Sequence, residues 1–195
     1  MKTRFFTGKG DKGKSFVGGK NFSKGEVFFE LIGVLDELNS WLGVCRASAQ
    51  GFDKKIGKRK FNLTADIGLL QNFVFIVQAE FAALRFGYPK SPKISKIHTD
   101  FLEKFIEKVD SEFPPLTKFV ISGGSELSAQ LDFARTLARR AEREAVKFSA
   151  KQKNNLRQPA DEALRFLNRL SSVLFALARY VNFKLKIKEL NPSYK

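Results

Sequence analysis

The sequence predicts an all-α fold, a five-helix up-and-down bundle, and three observations carry that prediction. Apolar residues recur at helical spacing over most of the chain beyond residue 26: Leu31, Leu35, Leu38, Leu42 and Cys45 fall at offsets 0, 4, 7, 11 and 14. No segment shows convincing strand alternation. Glycines, prolines and capping residues punctuate the periodic runs, as short links between antiparallel helices require.

Residues 1–25 are rich in Gly and Lys and are expected to form a structured loop, because glycine interrupts any period. The leucine stripe of the first helix follows, and it places Cys45 on a core face. Residues 51–62 read as a basic connector. Asp66 is the expected cap of a second helix carrying Leu69, Phe73, Ile76 and Leu84, with a stop near Gly87 and Pro89. Thr99 is the expected cap of a third, with Leu102, Ile106 and Val109 inward and Pro114-Pro115 beyond its end. A fourth follows Gly123-Gly124 and runs to about Ser149, facing Leu127, Leu131, Ala134, Ala138, Ala141 and Ala145 inward. Pro159 suits the first position of a fifth, which carries Leu164, Leu167, Leu174, Leu177 and Val181. The whole chain, 1–195, reads as one domain: a loop segment over 1–25 and a bundle over 26–184.

Composition narrows the function classes. One cysteine and one histidine, His98, exclude an internal disulfide and a Cys/His zinc site. No protein-held metal site is therefore expected. The first residues lack the continuous apolar run of a secretory signal, and no apolar run reaches the ~18 residues of a membrane span. A cytoplasmic, reducing location is the expectation. The formal charge of +15 attracts polyanions: nucleic acid, acidic membranes, or small molecules such as ATP. Charge alone does not choose among them.

Gly8-Lys9-Gly10-Asp11-Lys12-Gly13-Lys14-Ser15 satisfies the letter of the phosphate-loop pattern, yet no buried strand precedes it and Gly18-Gly19 breaks any following helix. A phosphate-loop fold is excluded on that ground. The local chemistry stays: glycines free backbone N–H groups to face an anion, and Lys9, Lys12 and Lys14 add charge. Two polar stripes interrupt apolar helices. Asp36, Asn39 and Gly43 share one face of the first helix, and Arg135, Arg139 and Glu142 share one of the fourth, flanked by Arg140 and Arg143. Asn168-Arg169 breaks the apolar run of the fifth. Guanidiniums suited to bidentate phosphate binding and an amide able to read a nucleoside are thus present together.

Four segments, in order, resemble the PduO-type ATP:cob(I)alamin adenosyltransferase family. They are Thr7 to Ser15 (TGKGDKGKS), Gly33 to Gly43 (GVLDELNSWLG), Gly123-Gly124-Ser125 followed by Ala134 to Arg143 (ARTLARRAER), and Phe166 to Ser171 (FLNRLS). Ser122 and Ser172 stand where that family commonly has proline and aspartate, and Val27 or Phe28 where it has a basic residue.

The resemblance implies a trimer of five-helix bundles with active sites between subunits, and ATP, Mg²⁺ and cob(I)alamin as reactants. It implies that Thr7, Gly8, Lys9, Gly10, Ser15 and Lys24 hold the triphosphate with Mg²⁺. Arg139, Arg140, Glu142 and Arg143 would complete the nucleotide site, and Asn168 would fix the adenosine. Asp36 and Arg135 would form an intersubunit ion pair, and Phe119 would pack at the lower face of the corrin. A cobalamin reductase and an adenosylcobalamin-dependent enzyme are the implied partners. Cob(I)alamin is itself a strong nucleophile, which accords with a chain that has no histidine to spare as a base. Two alternatives stand beside this reading. One is a basic helical nucleic-acid-binding protein, against which the arginines lie beside Glu142 and near leucine stripes instead of on one open face. The other is a catalytically inactive relative.

Overall fold

A computed structural model describes residues 5, 6, 8–56, 61–152 and 161–194. Thr7, the basic residues 58–60 and Pro159 lie outside them. Five helices are present: α1 Val27–Ile56, α2 Leu63–Phe86, α3 Lys96–Asp110, α4 Glu126–Gln152 and α5 Asp161–Lys184. Side by side they pack in the order α2–α1–α4–α5–α3. Phe73 of α2 closes the ring, meeting Phe101 of α3 and Phe166 of α5 edge-on. The predicted stripe of α1 is the core: Leu31, Leu35, Leu38, Leu42 and Cys45 are fully buried. Burial pushes the Cys45 thiol up to about 12, so it stays protonated and inert.

The glycine-rich segment holds an element that periodicity did not reveal. Strands β1 Lys14–Val17 and β2 Lys20–Ser23 pair antiparallel, with Ser15 opposite Phe22. Gly18 and Gly19 form the two-residue turn at φ +56° and +82°, the paired positive φ that a primed hairpin turn demands. Phe22 anchors the hairpin on the bundle against Phe29 and Phe86, with Arg85 stacked 4.8 Å over its ring.

One helix end and two helix starts differ from expectation, each for a local reason. The first helix does not give way to a connector at residue 51 but continues through Gly51, because Phe52 beyond it is buried against Tyr180. Its next residue, Asp53, then accepts from the backbone N–H groups of Leu63 and Thr64 and from the Thr64 hydroxyl. Asn62, not Asp66, caps α2 by accepting from Ala65 N–H. Ser95, not Thr99, precedes α3. There His98 Nδ1 accepts from Ser95 N–H in the manner of a capping box. Thr99 is buried one position on, its hydroxyl donating to Glu162 of α5.

Among the described helices α2 is long and apolar enough to cross a membrane, with mean hydropathy 1.6 over its most apolar stretch. One face of it, with Leu63, Ile67, Leu70, Val74, Val77 and Phe81, is core. On its other side Phe75 stands 60% exposed. Glu80 is the exception within the core face. Its carboxylate accepts from Ile94 N–H at 2.8 Å and ties the 88–95 link to α2. Burial raises its carboxyl above the usual range, against the pull of that hydrogen bond and of nearby Lys93 and His98. A raised carboxyl contributes stability below the unfolded value, ~4.3, and loses it as pH rises through the folded value. Glu80→Gln keeps an acceptor for Ile94 and removes the ionisation. The variant should melt higher than the parent at pH 7, with the difference vanishing near pH 4, in thermal melts across that range.

Candidate functional site

The hairpin places the phosphate-loop residues. Gly8 and Gly13, at φ +70° and +68°, shape two successive turns in which Asp11 N–H donates to Gly8 O and Gly13 N–H to Gly10 O. β2 then returns the chain so that Lys24 N–H donates to Gly13 O and Lys24 Nζ to Gly10 O. A Cβ on Gly10 would sit 3.0 Å from that ammonium. Lys9 lies 5.1 Å over the Phe16 ring. Ser15 and Lys24 face a groove of about 720 Å³ that α1 and α2 complete with Asp36, Gly33 and Phe75. This groove gathers three of the expected residues, Ser15, Lys24 and Asp36, into one place.

The arginines of α4 divide by partner. Arg140 forms an ion pair with Glu37 of α1. Arg143 donates to the Arg139 carbonyl, one turn back. Glu142 accepts from Asn168 Nδ2 at 2.9 Å, and Asn168 Oδ1 accepts from Arg169, which also pairs with Glu103 of α3. Arg135 and Arg139 are different: both line an open cavity of about 420 Å³ bordered by α3, α4, α5 and the segment after α3. Ser172, Phe175 and Arg179 line it too. A second hollow of about 600 Å³ shares Arg135 and Phe175 with it and is bordered by Phe119, whose ring is 82% exposed. Among the described residues no ion pair joins Asp36 to Arg135; the first opens on the hairpin groove and the second on the α3–α5 cavity.

Sequence reasoning missed the support beneath this cavity. Arg179 is 2% exposed and bonds Asp132 of α4 at 2.7 Å, with Glu189 Oε1 2.9 Å from its Nε but off the N–H axis. Asp132 also accepts from Gly123 N–H, and Asn182 Nδ2 donates to Gly123 O and to Glu189. Ser125 N–H and hydroxyl both donate to Asn182 Oδ1. Gly124 sits at φ +100°, where a Cβ would fall 2.5 Å from the Asn182 amide. Glycine is thus required there by contact as well as by backbone. The signal available was Arg179 itself, a charge inside the apolar run of α5, which burial obliges to find an anion.

Comparison with known proteins places the chain as a whole. A family model described as cobalamin adenosyltransferase matches residues 5–181. The chain is 33% identical over 190 residues to a corrinoid adenosyltransferase of Bacillus subtilis, covering 96% of this chain and 91% of the relative. It is 36% identical over 178 residues to one of Citrobacter freundii, covering 90% and 93%. Among solved structures it is similar to a variant PduO-type ATP:corrinoid adenosyltransferase from Lactobacillus reuteri complexed with cobalamin and ATP. There the TM-score is 0.80 at 27% identity, with 98% of this chain and 97% of that one covered. By the family match over most of its length and by these relatives, the chain belongs to the cobalamin adenosyltransferase family.

Proposed function

We propose that the protein transfers the 5′-deoxyadenosyl group of ATP to cob(I)alamin, forming adenosylcobalamin and releasing triphosphate. The observation that carries this reading is the pairing of a basic glycine loop at the hairpin groove with a separate cavity lined by Arg135, Arg139 and Phe175, next to a hollow that shares Arg135 and Phe175 with it and is bordered by Phe119. Cobalt's electron pair forms the bond to the ribose 5′ carbon as the C–O bond to triphosphate breaks, and the leaving oxygen keeps that bond's electrons. The protein supplies alignment and charge stabilisation. Gly8, Lys9, Gly10, Ser15 and Lys24 hold the triphosphate, together with Thr7. Arg139 meets the charge developing on it. Phe119 covers the lower face of the corrin and keeps water and base from cobalt. Among the described residues no group of three His, Cys, Asp or Glu side chains converges on a metal site. In this reading Mg²⁺ accompanies the triphosphate oxygens.

The active unit is a homotrimer in this reading. Asp36 and Arg135, which have no ion pair among the described residues, meet across the subunit boundary and join one protomer's hairpin groove to its partner's arginine cavity. The exposed Phe75 side of α2 supports such a neighbour. A cobalamin reductase upstream, an adenosylcobalamin-dependent enzyme downstream and a cytoplasmic setting complete the proposal.

Anaerobic incubation with ATP, Mg²⁺ and chemically reduced cobalamin should show ATP-dependent loss of the Co(I) absorbance and a light-sensitive alkylcobalamin product. Sedimentation should give three chains per particle. Binding of ATP without decay would identify an inactive relative, and failure to bind ATP would remove the reading altogether.

A further inference from the structure

An aromatic ring that is 82% exposed has little packing to hold it, so the position of Phe119 is set by its backbone. That backbone is held by the C-terminal tail. The chain leaves α5 through Lys186 at φ +57°, the one non-glycine residue with positive φ among those described, and turns back on itself. Ile187 N–H donates to Asn182 O, and Glu189 anchors the tail between Arg179 and Asn182. Beyond that anchor the tail reaches the 119–121 segment. Ile121 N–H donates to Leu190 O at 2.8 Å, and Asn191 Nδ2 donates to Phe119 O at 2.8 Å.

We propose that Asn191 is a positioning residue for Phe119. Its side-chain amide and the Leu190 carbonyl strap the 119–121 segment, so that the ring stays at the border of the hollow that shares Arg135 and Phe175 with the arginine-lined cavity. The proposal rests on the reading that Phe119 meets the corrin lower face. Asn191 touches no reacting atom, and it acts by restricting where the Phe119 ring can be.

The test uses the full-length chain with cob(II)alamin and ATP, reading the four-coordinate Co(II) fraction by electron paramagnetic resonance. Asn191→Ala and Asn191→Asp, the latter near-isosteric but unable to donate, should each lower that fraction and turnover by roughly fivefold, the scale of one neutral hydrogen bond. Asn191→Gln, which keeps a donor, should recover part of the loss. KM for ATP should hold at the parent value, and melting should shift by no more than about 4 °C. Deleting residues 190–195, which keeps Glu189 and removes both straps, should exceed the single variants. Phe119→Ala serves as the reference. If Phe119→Ala loses the four-coordinate signal while the Asn191 variants and the deletion keep it, the strap is overturned and the reading of Phe119 stands. If Phe119→Ala also keeps it, the proposal falls with the reading on which it rests. A loss matched by an equal loss of ATP affinity would equally overturn a positioning role.

Discussion

Replacing Arg139 with alanine should lower single-turnover adenosylation by about 10²–10³-fold, the usual cost of removing one preorganised donor aimed at developing negative charge. The case rests on the division of labour along α4. Arg140 is committed to Glu37, whereas Arg139 is exposed at the cavity with no ion pair among the described residues. Arg143 spends a donor on the Arg139 carbonyl. Arg139→Lys keeps the charge but loses the planar fork, so it should fall between the parent and alanine. Arg140→Ala should cost less, since it loosens an α1–α4 contact before it touches substrate. Stopped-flow decay of Co(I) under saturating ATP measures all three, and KM for ATP separates a binding loss from a transition-state loss. Equal losses for Arg139→Ala and Arg140→Ala would show that the free guanidinium has no special part.

The largest stability effect is expected at Arg179. Alanine there leaves Asp132 buried and uncompensated, and breaking a buried pair from one side typically costs ~3–5 kcal/mol. For a domain of this length that corresponds to a melting point lower by roughly 6–20 °C. Asp132→Ala should do the same from the other side. Because the two changes remove one shared interaction, the double variant should lose much less than the sum. Arg179→Met with Asp132→Leu fills the space with apolar atoms and should recover most of the melting point. It should not recover the Gly123 loop, which loses the carboxylate that its N–H donates to. Thermal melts with parallel activity assays distinguish these outcomes: stability returns and turnover does not.

The helices were legible because their signal is repeated. Leu31 to Cys45 states the same periodic fact five times, and one misleading residue cannot erase it. Helix starts rest on single residues and were misplaced. Asp66 and Thr99 are good caps in isolation, but Asn62 and Ser95 precede them, and Phe61 and Ile94 just before those caps are already buried. The hairpin escaped because its alternation is short: four residues per strand, with only partial burial of Phe22 and Val17. The Ser15–Lys24 and Arg135–Arg139 groupings were legible through motif order. The Arg179–Asp132–Asn182 support was not, since Arg179 lies 47 positions from Asp132 and Asn182 59 positions from Gly123, and no local pattern links them.

The single thiol has an experimental consequence. Cys45 is fully buried on α1 with its thiol pushed up to about 12, and no second cysteine exists to oxidise it into an internal disulfide. Strong reductants needed to prepare Co(I) therefore find no internal disulfide to break. The folded protein is therefore expected to resist maleimide labelling at Cys45, which mass spectrometry after brief exposure to the reagent would check. A cysteine introduced at Ser193 would be the sole reactive handle on the molecule. A fluorophore or spin label there would report the tail's motion against a silent background, without first rebuilding the native sequence.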